Sequence, residues 1–260
     1  MTDAEVIIEY QDVHKGFGEL VVLNGVDLEV LRGETLTIVG RSGIGKSVML
    51  KTLTGLLPVD SGHIIVDGDD VTTLGEDELR RVRRKIGMLF QSAALFDSMT
   101  IFENVAYPLR EHTDFDEAKQ LEVVRETLAM VDLPGVEDQY PDELSGGMQK
   151  RVGLARAIVL RPPIILYDEP TTGLDPITAN VISRLIKRLQ KRLEVTSIVV
   201  THDLEHAFMV TDRIAMLHGG KIISVMRVDE FRRSRDARVR EFVTGGLTEE
   251  ELQSVGRLLT

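Results

Sequence analysis

The sequence predicts an α/β fold, a mostly parallel sheet between layers of helices, with a small β layer at its start and a helical insertion in its middle. Three observations predict it. Short, apolar, β-branched runs alternate with segments of helical periodicity, which implies parallel pairing with helices on both faces. One such run, Thr35–Val39, passes through Gly40-Arg41-Ser42-Gly43-Ile44-Gly45-Lys46-Ser47 into an apolar-periodic segment, Val48–Thr54, that ends at Gly55. A long stretch from about Ser92 to Ile158 is mostly helical in pattern, is punctuated by Pro108, Pro134, Gly135 and Pro141, and lies between two core strands.

In chain order, Val6–Lys15 reads as a strand and Gly16-Phe17-Gly18 breaks it. Val21–Leu23 and Val26–Val30 continue the β pattern, the second with period-two alternation. Arg32-Gly33-Glu34 turns into the strand at Thr35–Val39. Asp60-Ser61-Gly62 is another turn, followed by a run from His63 to Gly68. From Glu76 the pattern becomes helical and rich in Arg and Glu. Lys85–Gln91, Ile164–Tyr167, Ser197–Val200 and Arg213–Leu217 are core strands, and Asn180–Leu193 is a helix between them. From Glu230 the chain is charged and helical in pattern, Arg-rich and then Glu-rich, and reads as a surface appendage.

Bulk properties narrow the function. The 260 residues suffice to bury a substantial core. The formal net charge is −11 and no long basic stripe is present, which argues against a main role on nucleic acid. The one basic cluster, Arg80–Lys85, reads as a solvated helix face; an acidic partner or a lipid headgroup surface is its other use. Without cysteine there is no disulfide framework and no thiolate chemistry. No stretch approaches the roughly 18 uninterrupted apolar residues of a membrane span, so work at a membrane needs another chain to supply the membrane part.

The chemistry lies at the ends of the strands. The pattern G-x-x-x-x-G-K-S between a strand and a helix leaves backbone N–H groups and a helix dipole aimed at one spot, an anion site. Lys46 can reach β- and γ-phosphates, and the Ser47 hydroxyl can ligate Mg²⁺. Ile164–Tyr167 runs into Asp168-Glu169-Pro170: Asp168 stands where a carboxylate can hold Mg²⁺, and Glu169 can polarise an attacking water. Leu144-Ser145-Gly146-Gly147-Met148-Gln149 precedes a helix and offers a second cradle of hydroxyl and N–H groups. Taken singly, two acids at a strand end, a helix N-cap, a lone Gln91 or a lone His202 have ordinary structural readings.

Together and in this order the motifs resemble the ATP-binding-cassette (ABC) ATPases over nearly the whole chain. The resemblance implies a P-loop NTPase fold with a RecA-like core, a small antiparallel β subdomain and an inserted helical subdomain at about 92–158. Residues 1–245 would form the ATP-binding domain and 246–260 a C-terminal tail. It implies ATP and Mg²⁺ as ligands. Gly40–Ser47 with Val48 would be Walker A, and Gln91 the Q-loop glutamine that senses Mg²⁺ and water. Leu144–Gln149 would be the signature, Ile164–Glu169 Walker B with its catalytic glutamate, Thr172–Asp175 the D-loop and His202 the switch histidine. Phe17 sits where the family stacks an aromatic on adenine. Arg41 and Val48 depart from the family's frequent Pro and Thr, and Phe17 from its commoner Tyr; none of these removes the phosphate lysine or the Mg²⁺ hydroxyl.

The resemblance further implies a head-to-tail homodimer in which Ser145, Gly146 and Gly147 of one copy close on the phosphate loop of the other. In Ser92–Thr100, Leu95, Phe96 and Met99 read either as core of the helical part or as a groove for a short helix of a multipass permease. Gly43–Ser47, Met88–Ser92 with Ala94–Phe96, Phe102–His112, Asp175–Thr178 and Ala237–Phe242 resemble the ATPases of Mla/Mce-type lipid transporters. Those work at the cytoplasmic face of bacterial inner membranes with a permease and an Mce-domain lipid-binding protein. An ATPase of an amino-acid or metal importer, or one that remodels a membrane or wall partner without transport, would share every catalytic motif. Arg238–Leu259 reads either as a tail that reaches the second copy, anchored by Phe242, Val243 and Leu247, or as a surface helix.

Overall fold

The computed structural model describes residues 5–245. Its first layer is an antiparallel sheet ordered β2-β1-β4-β5, built from β1 (Val6–Phe17), β2 (Leu20–Leu31), β4 (Ser61–Val66) and β5 (Asp69–Asp70). The second is a six-stranded sheet ordered β10-β9-β3-β8-β7-β6. It contains β3 (Thr35–Val39), β6 (Ile86–Leu89), β7 (Ile164–Asp168), β8 (Thr196–Thr201), β9 (Arg213–His218) and β10 (Lys221–Arg227). All its pairs are parallel except β9 with β10. The phosphate-loop strand β3 therefore lies inside the sheet, between β9 and β8, with both faces covered.

Complete burial of β3, β7 and β8 explains why they read as unbroken apolar runs. Alternate residues face different cores. Ile164 and Leu166 join a core shared with the antiparallel sheet and with α1 (Lys46–Leu53), where the Tyr10 hydroxyl donates to Met49 O at 3.0 Å. Ile165 and Tyr167 face the helical side. That side is built by α3 (Ile101–His112), α4 (Glu117–Met130), α5 (Gly146–Ile158) and α6 (Pro176–Leu193). Thr100 caps α3 in a reciprocal box with Glu103, and the buried Asn104 ties the preceding loop to it through Phe96 O and Met99 O. The insertion is thus helical from α3 onward, and residues 92–100 form a braced loop rather than helix.

A third cluster joins Val39, Ile214 and Met216 to α7 (Leu204–Val210), α8 (Val228–Arg232) and α9 (Ala237–Val243). α2 (Glu76–Arg84) packs Leu79 and Val82 inward. Its Arg83 donates to Thr54 O and Gly55 O, so the basic cluster is partly a brace for the end of α1 and not only a solvated face.

Three sequence expectations change. β1 is not broken at Gly16-Phe17-Gly18; it runs through Phe17, turns over Gly18 and Glu19, and returns as one long strand, β2. β10 was not foreseen after β9. The segment from Glu230 is not a mere appendage, because Phe231 and Val239 are fully buried. The tail 246–260, with its expected anchor Leu247, lies outside the described residues. Among the described residues no helix is long and apolar enough to cross a membrane.

Candidate active site

The loop from Gly40 to Gly45 lies at the carboxyl end of β3. Gly45 adopts φ 114°, and a Cβ there would stand 2.6 Å from Val22 Cγ1. Only glycine permits both that backbone and the approach of β2. No side chain caps α1, so its first-turn N–H groups stay open to an anion. Ile44 and Val48 anchor the loop by packing into the core. Lys46 is buried; its ammonium bonds to Gly40 O at 2.9 Å and Arg41 O at 3.2 Å and stands 3.4 Å from Glu169 Oε1. Ser42 and Gly43 are exposed at the mouth. The Arg41 side chain turns outward to Glu241 on α9 at 2.5 Å, so only its backbone belongs to the loop.

The two acids meet this loop from β7. Ser47 Oγ donates to Asp168 Oδ1 at 2.8 Å, bringing together the two oxygens expected to serve a metal. Burial pushes the Asp168 carboxyl up, against the hydrogen bond from Ser47. Among the described residues no cluster of three or more His, Asp or Glu could hold a metal alone. A hydroxyl and one carboxylate suit Mg²⁺, a hard cation that keeps several waters and takes phosphate oxygens.

Glu169 sits in the left-handed region at φ 47°, a strained position for a non-glycine residue. Its N–H bonds to Val200 O at 2.9 Å and its carbonyl accepts from Thr172 N at 3.2 Å. Its Oε2 gathers Thr172 Oγ1 at 3.1 Å, Thr201 Oγ1 at 3.2 Å and His202 Nδ1 at 3.0 Å. Burial raises this carboxyl, but the His202 hydrogen bond and the Lys46 charge outweigh it and leave it below the usual glutamate range. A carboxylate held ionised beside a phosphate loop can orient water and accept its proton. The structure therefore brings Lys46, Ser47, Asp168, Glu169 and His202 into one cluster. Thr172 and Thr201 complete the Glu169 shell; they lie inside quoted motifs, but nothing in the letters gave them this task.

Gln91 follows β6 and is exposed; its carbonyl accepts from Lys150 of α5. Phe17 is 48% exposed at the tip of the β1–β2 hairpin, with Lys15 Nζ 5.5 Å from its ring centroid. Val22 of the same hairpin packs beside Gly45.

The second cradle is a separate region. Ser145 caps α5, accepting from Met148 N at 3.3 Å, and Gly146 faces open space. Gly147 and Gln149 also have partners within the chain. Gly147 is buried, and a Cβ on it would lie 2.3 Å from Thr178 Cγ2, so it lets α5 seat against α6. Gln149 Nε2 donates to Pro141 O at 2.8 Å and Leu144 O at 3.3 Å, bracing the loop. No hydrogen bond joins Ser145–Gly147 to Gly40–Ser47 among the described residues.

A groove of about 500 Å³ opens between the ends of α2, α3 and α5. Phe90, Phe96, Tyr107 and Leu160 line it, with the Phe96 and Tyr107 rings 5.2 Å apart. Of the three apolar residues with two readings, Phe96 lines this groove, Leu95 packs into the helical core, and Met99 lies outside the lining.

Comparison with known proteins identifies the family. The family model described as ABC transporter matches residues 23–172. The chain is 42% identical to the intermembrane phospholipid transport system ATP-binding protein MlaF of Haemophilus influenzae, over 92% of this chain and 90% of that protein. It is 41% identical to the probable ribonucleotide transport ATP-binding protein mkl of Mycobacterium bovis, over 95% of this chain and 70% of that one. The dimeric post-hydrolysis structure of the ATP-binding cassette MJ0796, bound to ADP and Pi, superposes with a TM-score of 0.78 at 35% identity. It covers 85% of this chain and 98% of its own. With Gly40–Ser47, Asp168, Glu169 and His202 assembled on this fold, and with these similarities, the chain belongs to the ABC transporter family as an ATP-binding, ATP-hydrolysing subunit.

Proposed function

We propose that this chain powers a bacterial inner-membrane transporter that moves phospholipids or related lipids between inner and outer membranes. The observation that carries the lipid reading is the 42% identity to MlaF across nearly both full lengths. A multipass permease and an Mce-domain lipid-binding protein complete the assembly, and this chain binds peripherally at the cytoplasmic face.

In this reading two copies pair about a two-fold axis, each site built from both. Lys46 and the loop N–H groups hold the β- and γ-phosphates, and Phe17 stacks on adenine. Ser47 and Asp168, with Gln91 nearby, would hold Mg²⁺, which supplies charge neutralisation on the phosphates. Ser145 and Gly146 of the second copy close the cage, with Gly147 and Gln149 supporting them. Glu169 orients water for in-line attack, and His202 steadies Glu169 and meets the γ-phosphate. Hydrolysis removes the ligand that bridges the copies, so the dimer opens. The aromatic groove at Phe96 and Tyr107 receives a short helix of the permease; an apolar groove with polar edges suits an amphipathic helix.

A second reading, transport of a different solute, draws on the similarity to mkl, named for ribonucleotides. Purification of the membrane complex from its own host separates the two. Permease, Mce-domain protein and phospholipid, detected together by mass spectrometry, are expected. A complex that carries a solute-binding protein for a nucleotide, amino acid or metal and no lipid would overturn the lipid reading.

A further inference from the structure

The buried ammonium of Lys150 has no place in the scheme above. It lies one turn and a half into α5, on the face that otherwise packs apolar residues, and is only 5% exposed. Burying an ammonium is costly unless donors find acceptors. Two main-chain carbonyls receive it: Gln91 O and, at 3.5 Å, Glu169 O. These belong to the two residues that would orient the attacking water. Both loops are conformationally demanding. Glu169 and, just after Gln91, Ala93 and Ala94 have φ of 47°, 61° and 50°. Non-glycine residues hold such backbones only where the surroundings over-determine them. α5 supplies that hold twice, because Arg156 also donates to Ala93 O at 2.9 Å and Ala94 O at 2.7 Å.

We propose that Lys150 is a positioning residue for hydrolysis: from α5, the helix that Ser145 caps, its ammonium ties the Gln91 carbonyl to the Glu169 carbonyl and so fixes both side chains toward the attacking water. A shift at the start of α5, where the second copy's nucleotide would press, then reaches both loops through one rigid bar. In this role Lys150 acts through the two carbonyls it holds. The proposal rests on the reading that Gln91 and Glu169 serve hydrolysis.

Lys150→Met, close in length but without donors, tests it in the full-length protein, with Lys150→Arg as the conservative variant. ATP affinity, followed with a fluorescent ATP analogue, is expected to stay within about threefold of wild type, because the phosphate loop is untouched. kcat is expected to fall at least tenfold, since misplacement of a reacting group by about 1 Å can cost 10²-fold. Lys150→Arg, able to bridge two carbonyls, is expected to recover most of kcat. Wild-type kcat in Lys150→Met would overturn the proposal. So would a parallel loss of affinity and kcat without recovery in Lys150→Arg, the pattern of a structural role. If Lys150→Met does not fold, Lys150→Gln, which can donate to one carbonyl but not span both, is read by the same split. Glu169→Gln is assayed alongside; unchanged turnover there sinks the hydrolytic reading itself, whatever Lys150 does.

Discussion

Glu169→Gln is expected to lower ATP turnover by about 10²–10⁴-fold, the usual worth of a positioned general base, while nucleotide still binds. The substitution keeps the size of the side chain and an oxygen for Thr172 Oγ1, Thr201 Oγ1 and His202, all of which converge on Oε2. It removes the carboxylate that Lys46 and His202 hold ionised. ATP then persists between the copies, and the dimer should accumulate. Size-exclusion chromatography with light scattering would show an ATP-dependent doubling of mass in the variant and a transient or absent one in wild type. Unchanged turnover would remove Glu169 from the chemistry.

Gly147→Ala is expected to disrupt the seat of α5 on α6, at a cost of about 1–3 kcal/mol, the range for overpacking a close contact. The new Cβ would stand 2.3 Å from Thr178 Cγ2. Thr178 cannot simply rotate away, because its hydroxyl donates to Asp175 Oδ2 at 2.5 Å and its N–H to Asp175 Oδ1 at 3.1 Å in the cap of α6. Relief must come from α5, which carries Ser145 and Gly146 at its start, so hydrolysis should fall along with stability. Thr178→Ser deletes the offending methyl and keeps the hydroxyl. A double-mutant cycle of Gly147→Ala with Thr178→Ser, read by thermal unfolding and ATPase rate, should therefore show strong coupling. Additive effects would mean that Gly147 is needed for something other than this contact.

How much of this was legible in the sequence depends on how local the cause is. β3, β7 and β8 were readable because strands buried on both faces are continuous apolar runs. Gly40–Ser47 was readable because Gly43 and Gly45 answer to local positive φ angles, even though the close approaches at Gly40 and Gly45 come from β9 and β2. β10 was missed even though Gly219-Gly220 is a hairpin signal; its residues are mostly half-buried on both faces, so they show neither alternation nor an apolar run. Phe231 and Val239 were lost among arginines, because one buried apolar residue per short helix is too sparse to reveal a face. The motif letters gave Gly147 and Gln149 an anion-facing part. They gave no sign that Gly147 also answers to Thr178 on a distant helix, a contact that only tertiary packing creates, or that Gln149 also braces its own loop. Lys150 did leave a trace: with Gly147, Leu154 and Ile158 it falls on the buried face of α5, and a charge at such a position signals a buried acceptor.

The central claim is that each nucleotide is enclosed by the phosphate loop of one copy and Ser145 of another. Because the chain has no cysteine of its own, a single disulfide can report on it. Chains carrying Ser42→Cys are mixed with chains carrying Ser145→Cys, both in the Glu169→Gln background, and oxidised with and without ATP and Mg²⁺. A covalent dimer that forms only in the mixture and only with ATP is the predicted result; no cross-link under any condition, together with full wild-type turnover by chains held monomeric, would contradict it.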